Sequence, residues 1–257
     1  MINFENVSKV FQKNGELFPA VESFSLSIAR GEFCAIVGPS GCGKSTLLNL
    51  VSGLARPTKG TVTYQGQPIT SVLTDVGYIT QKDNLLPWRT VEGNIWLPLE
   101  IRGDRARDRN QTVRRLVELV GLKGFEKHFP RELSGGMRKR VALARTLAYD
   151  PKVLLMDEPF GALDAQLKMV MQRELLKIWE ATRKTVIFIT HDLSEAITLA
   201  DRAVVMTSRP GRVKGVTIIN LPRPRDVFQV RFQANFGTLF QSTWSLLEED
   251  VLKGEQI

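Results

Sequence analysis

Eight consecutive residues, Gly38-Pro39-Ser40-Gly41-Cys42-Gly43-Lys44-Ser45, set a glycine, four intervening residues and then Gly-Lys-Ser. Glycines in this pattern let backbone N–H groups converge on phosphate oxygens, and a helix starting there adds the positive end of its dipole. Lys44 offers charge to the β and γ phosphates, Ser45 offers a hydroxyl to Mg²⁺, and Thr46 carries the loop into the helix. A second set ends the apolar run Val153-Leu154-Leu155-Met156-Asp157-Glu158, which delivers two adjacent carboxylates where open α/β sheets bind ligands. Alternation along a strand turns Asp157 toward the Mg²⁺ shell and Glu158 toward water attacking a γ-phosphate, so Glu158 is the candidate base. The two sets together define a nucleoside triphosphatase.

Such groups need a rigid sheet behind them. Phe33 to Val37, Val153 to Met156 and Val186 to Ile189 are short apolar β-rich runs, each followed by helical sequence such as Thr46 to Val51. They predict buried parallel strands with crossover helices. Ile2 to Val7 and Phe24 to Ile28 alternate more, which predicts an antiparallel sheet beside that core. The expected fold is α/β: a P-loop nucleoside triphosphatase (RecA-like) core, an antiparallel β portion, and a helical subdomain inserted at about 85–150. In the insert, Val113, Leu116, Val117 and Val120 mark one face of a helix ending at Gly121. Ser208 to Arg212 reads as a hairpin turn, and Pro222-Arg223-Pro224 breaks the chain. Residues 1–220 are therefore expected to form one domain and 221–257 a helical extension. There Phe228, Phe232, Phe236, Phe240 and Trp244 recur every four residues, predicting an amphipathic helix packed on the body.

Composition narrows the setting. The 257 residues are 43% hydrophobic and 24% charged, which excludes disorder and collagen-like repeats. No apolar run approaches the roughly 18 residues that span a bilayer, and Met1 to Val7 lacks the features of a signal peptide, so a cytosolic location is expected. Lys and Arg number 35 against 27 Asp and Glu, a net +8 compatible with nucleic acid, anionic lipid or phosphorylated ligands. The basic residues are dispersed, including Arg138-Lys139-Arg140, and read as a solvated surface. Cys34 and Cys42 have neither metal-ligand nor disulfide spacing. Cys34 is expected in the core; oxidation of Cys42 is expected to block the loop. His128 is expected at the surface.

Leu133-Ser134-Gly135-Gly136-Met137 resembles the signature motif of ATP-binding-cassette ATPases, with Met137 where that family usually has Gln. Ser134 can cap the helix running through Arg140 to Leu147, aiming its hydroxyl and the Gly135 and Gly136 amides at an anion. In the family's order, Gln81 resembles the Q-loop glutamine, Ala162-Leu163-Asp164 the D-loop, and His191 the switch histidine. Phe11 occupies the place of the aromatic that stacks on adenine, usually Tyr. The resemblance covers about residues 2–220. It looks nearest to importers of nitrate, sulfonates and taurine through Asn84 to Val91, Asp157 to Asp164 and Arg209 to Val213.

The resemblance implies that two cassettes, expected to be identical, sandwich two ATP molecules head to tail. Phe11, residues 38–46 and Asp157 would come from one subunit, and Ser134, Gly135 and Gly136 from the other. It also implies Mg²⁺ at Ser45, Gln81 and Asp157, with Glu158 polarising water, His191 stabilising the γ-phosphate and Gln81 linking nucleotide to the 84–91 loop. Further implied are two transmembrane permease subunits touching Leu86 and Trp88, an extracytoplasmic solute-binding protein, and a peripheral position on the cytoplasmic face of the membrane. Nucleic acid is not an expected partner. Two alternatives stay open: a soluble cassette ATPase acting on nucleic acid or ribosomes, and the ATPase of an exporter or lipid transporter.

Overall fold

The computed structural model describes residues 1–103, 105–161 and 163–254. The chain begins with β1 (Ile2–Lys13) and β2 (Glu16–Ile28), joined at Asn14-Gly15, whose φ angles of 52° and 85° are both left-handed. A two-residue Asn-Gly turn of this kind matches the twist of paired strands and sets Lys13 opposite Glu16. The hairpin extends well past the expected Ile2–Val7 and Phe24–Ile28 segments and presents Phe11 opposite Phe18. The next elements are β3 (Phe33–Val37), α1 (Lys44–Ser52), β4 (Lys59–Tyr64) and β5 (Gln67–Pro68). Among the described residues the first sheet has the order β2-β1-β4-β5 and is antiparallel.

After β6 (Val76–Ile79) come α2 (Val91–Arg102), α3 (Ala106–Leu119) and α4 (Gly135–Leu147). In α3, Val113, Leu116 and Val117 are buried, as is Val120 at its end, and Gly121 (φ 65°) turns the chain away. His128 is half-buried rather than at the surface: its ring lies 5.1 Å from that of Phe125, and its carbonyl accepts the Val91 amide at the start of α2.

The chain then alternates: β7 (Val153–Asp157), α5 (Ala165–Thr182), β8 (Thr185–Thr190), α6 (Leu193–Leu199), β9 (Arg202–Met206) and β10 (Val213–Ile218), followed by α7 (Ala234–Gly254). The second sheet runs β10-β9-β3-β8-β7-β6, parallel except at the β10 edge. β3 is wholly buried because both faces are covered: Phe33, Ala35 and Val37 pack on one side, Cys34 and Ile36 on the other, against the first sheet and α1. The order β3-β8-β7-β6 has a direct consequence for chemistry. The segments that leave these four strands at their C-terminal ends carry Gly38, His191, Glu158 and Gln81, so one rim of the sheet receives all four.

The C-terminal stripe departs from expectation. Phe228 precedes the helix, and Phe232 sits in a single 3-10 turn, 78% exposed. A spacing of four drifts about 40° per step around an α-helix, so it cannot remain on one face. The buried side of α7 instead carries Phe236, Thr243, Leu247 and Asp250, while Phe240 and Trp244 stand partly exposed on its flank.

Candidate active site

Between β3 and α1 the chain turns through Gly41 (φ 76°) and Gly43 (φ 98°). A Cβ on Gly43 would lie 2.7 Å from the Ala20 carbonyl oxygen, so only glycine fits there. Gly43 caps α1 without a side-chain hydrogen bond and no acid occupies the first turn, which leaves the first amides of the helix open to an anion. Lys44 is buried, and its ammonium donates to the carbonyls of Gly38 and Pro39, both at 2.8 Å. A cavity of about 360 Å³ opens over this loop, lined by Ser40, Gly41, Gly43 to Thr46, Glu158, Phe11 and Arg209. Phe11, 43% exposed, forms its outer wall on the β1–β2 hairpin. Arg209, also in the lining, was not anticipated there; its Nε donates to the Pro19 carbonyl at 3.1 Å.

Cys42 does not line that cavity. Its thiol is buried 3.9 Å from Lys44 Nζ, and burial raises its pKa against the lowering pull of that ammonium. A buried, protonated thiol is a poor nucleophile, which corrects the expectation of an oxidation-sensitive loop. Cys34 is buried as expected, its pKa pushed up to about 12 chiefly by desolvation.

At the end of β7 the Asp157 carboxylate stands near the Ser45 hydroxyl and the Lys44 ammonium. Burial raises its pKa, with Ser45 opposing, Glu158 adding to the rise and Lys44 again opposing. One carboxylate and one hydroxyl beside a phosphate loop suit Mg²⁺, which keeps several waters and takes its remaining ligands from substrate phosphates. Glu158 diverges from Asp157 for a different reason from the one expected. The strand ends at Asp157, and Glu158 adopts a left-handed conformation (φ 44°), so a kink and not strand alternation aims its side chain. Such a conformation costs a non-glycine residue roughly 1 kcal/mol or more and gathers at functional sites. The Glu158 amide donates to the Ile189 carbonyl at 3.0 Å and its carbonyl accepts the Gly161 amide at 3.1 Å, which holds the kink.

His191 Nδ1 lies 3.1 Å from Glu158 Oε2. Behind it, Thr190 Oγ donates to the buried Glu195 carboxylate at 2.6 Å and accepts the Asp192 amide at 3.0 Å, while Asp192 caps α6. Gln81 joins the group from β6: a Cβ on Gly161 would stand 3.1 Å from Gln81 Nε2 and 3.7 Å from Glu158 Oε2. Gly161 thus leaves room for the amide and the carboxylate to approach.

Ser134, Gly135 and Gly136 open α4, where Ser134 Oγ accepts the Met137 amide at 3.2 Å. They are absent from the lining of the cavity over the loop. A Cβ on Gly136 would strike Leu167 Cδ1 at 2.7 Å, so α4 and α5 meet there. Asp164 caps α5 by accepting the Leu167 amide at 3.0 Å, whereas Ala162 lies outside the described residues.

Trp88 is 70% exposed and Leu86 half-buried. Asn94, fully buried in α2, pins their loop: Oδ1 accepts the Leu86 amide at 2.8 Å, and Nδ2 donates to the carbonyls of Leu86, Arg89 and Thr90. Sequence reasoning also missed Arg138 and Lys139. Arg138 Nε donates to Asp83 at 3.1 Å, and Lys139, buried, donates to the Gln81 carbonyl.

A parallel sheet with a glycine-rich loop, buried lysine, Ser–Asp pair and acidic residue on one rim defines a P-loop nucleoside triphosphatase. A sequence model of the ABC transporter family matches residues 21–161. The chain belongs to the ABC transporter family, as an ATP-binding, ATP-hydrolysing cassette. It is 44% identical to an uncharacterized ABC transporter ATP-binding protein, MJ0412, of Methanocaldococcus jannaschii, over 98% of this chain and 93% of that protein. It is equally similar, at 44%, to the aliphatic sulfonates import ATP-binding protein SsuB of Bacillus cereus (90% of this chain, 91% of SsuB). The same identity holds for the nitrate import ATP-binding protein NrtD of Synechocystis (86% of this chain, 83% of NrtD). Among solved structures, the dimeric bacterial ABC transporter cassette MJ0796 superposes with a TM-score of 0.75 at 32% identity, over 86% of this chain and all of that one.

Proposed function

We propose that this cassette energises import of a small oxyanion-bearing solute, of the nitrate, sulfonate or taurine kind, across a membrane. Two copies act head to tail on two permease subunits, at the cytoplasmic face, with an extracytoplasmic solute-binding protein delivering cargo. The reading rests on Trp88: a large apolar side chain is held in solvent by a loop whose backbone is fixed through buried Asn94, as suits a built docking surface. The import names of SsuB and NrtD support the direction and class of cargo. Among the described residues no helix is long and apolar enough to cross a membrane, so the permease is a separate chain in this reading.

In the proposed cycle, Lys44 exchanges the Gly38 and Pro39 carbonyls for β- and γ-phosphate oxygens, and the open amides of α1 take up further phosphate charge. Ser45, Asp157 and Gln81 would hold Mg²⁺, whose charge offsets that developing on the phosphates. Phe11 offers its ring face to the adenine. Glu158 takes the proton of the attacking water, and His191, hydrogen-bonded to the same carboxylate, keeps it oriented. Ser134, Gly135 and Gly136 complete the site of the other copy, and hydrolysis lets the copies part.

The direct test is affinity purification of the chain from its native membrane in mild detergent, with every bound protein identified. Recovery of a permease pair and a solute-binding protein is expected. Recovery with ribosomes or nucleic acid and no integral membrane protein would replace the importer by a soluble ATPase.

A further inference from the structure

We propose that Lys139, flanked by Arg138 and Arg145, mechanically ties the Gln81 loop to the helix bearing Ser134, Gly135 and Gly136, so that nucleotide sensed in one site repositions the residues presented to the other. The inference rests on the proposed two-copy arrangement and on Gln81 as the sensor of nucleotide.

Residues 80–84 follow β6 and have no strand partner, so their carbonyls must find donors elsewhere. Lys139 Nζ takes two of them, those of Gln81 and, at 3.5 Å, Thr80. Arg145 takes two more, with Asp83 O at 3.0 Å and Asn84 O at 2.8 Å. The Lys82 carbonyl accepts from Thr80 Oγ at 2.7 Å, so the loop is satisfied throughout. Arg138 spans the remaining gap, holding the Asp83 carboxylate with Nε and the Leu133 carbonyl with its terminal nitrogen at 2.7 Å. Leu133 immediately precedes Ser134.

Three cations on one helix therefore grip a loop in which the Gln81 amide lies beside Gly161, on the rim that also carries Glu158. The opposite end of the grip is the start of α4, where Ser134 caps the helix. Charge-assisted hydrogen bonds to carbonyls are stronger than neutral ones, more so when buried. Burial lowers the pKa of both Lys139 and Arg145, with Asp83 acting against that shift. A shift of Gln81 cannot leave Lys139 behind without stripping a buried ammonium of its acceptors, so the loop and the helix move together. In a head-to-tail pair, Gln81 reads the nucleotide on its own loop, while Ser134 to Gly136 face the nucleotide of the other copy. Lys139 is thus a positioning residue acting between the two.

The test is a double-mutant cycle on the full chain between Gln81→Ala and Lys139→Met, read as kcat for ATP with binding of a fluorescent ATP analogue measured alongside. Lys139→Met is expected to bind the analogue within about twofold of wild type yet to lose about tenfold or more in kcat, with Lys139→Arg recovering most of it. The double variant is expected to be no slower than the slower single one. Multiplying losses, a kcat for Lys139→Met within about twofold of wild type, or loss of analogue binding, would each overturn the link, the last by making Lys139 a general support of the fold. The two-copy reading fails separately: a Glu158→Gln chain that stays monomeric in ATP removes it, whatever the cycle gives.

Discussion

At the scale of single residues, the site is a set of neighbours whose environments divide the work. Asp157 faces Ser45 and Lys44, while one residue later Glu158 is swung by its left-handed backbone toward His191. Glu158→Gln keeps the shape and removes the proton acceptor, so turnover is expected to fall about 10²- to 10⁴-fold while ATP binding persists. ATP-stabilised dimers seen by size-exclusion chromatography check this; near-normal hydrolysis would remove Glu158 as base. Most of these residues were legible from type and spacing, because phosphate chemistry demands Gly, Lys and Ser in a fixed pattern. The kink at Glu158 was not, since nothing in Asp157-Glu158-Pro159 distinguishes a continuing strand from a left-handed turn. Lys139 was misread for a similar reason: a run of three basic residues reads as solvated surface until the fold supplies carbonyls for it.

At the scale of elements, burial decided what could be read. β3, β7 and β8 are continuous apolar runs and stood out, whereas β6 is four residues interrupted by Gly77 and gave no signal. The spacing of four in the C-terminal aromatics misled because it approximates a helical repeat without equalling one. What holds α7 is partly polar. Asp250, buried, accepts the Ser208 amide at 2.8 Å and pairs with Lys214 on β10. Burial pushes the Asp250 pKa up, but the bonds from Lys214 and Ser208 outweigh it and leave it below the ordinary carboxylate value. Its contribution is therefore present above that ordinary value and is lost as pH falls through the lower folded one. The bond from Asp250 raises the Lys214 pKa, against burial, so that side is intact below the usual lysine value and lost as pH rises through the folded one. Hydrogen-exchange protection of α7 is expected to stay level between these limits and to drop beyond either. Asp250→Ala should lower it at neutral pH by about 1–3 kcal/mol.

At the scale of the whole molecule, one rim of one sheet collects the candidate catalytic groups while Trp88 projects from a loop next to the helical insert. This separation predicts that assembly and chemistry can be broken independently. Trp88→Ala is expected to keep ATP binding and to weaken permease association by about 2 kcal/mol or more, roughly 30-fold in Kd. Co-purification and solute uptake measure it, and unchanged uptake would take Trp88 out of the interface.

The hairpin that carries Phe11 has a further implication. In the proposed cycle the wall facing the nucleobase is the Phe11 ring on an exposed β-ribbon, and a phenyl ring offers a flat π surface with no donor or acceptor at its edge. Stacking on that ring does not by itself tell one purine from another, because strong discrimination requires polar groups left unpaired by the wrong substrate. Guanosine and inosine triphosphates should therefore be turned over with kcat/KM within about tenfold of ATP, which steady-state turnover of the three nucleotides checks.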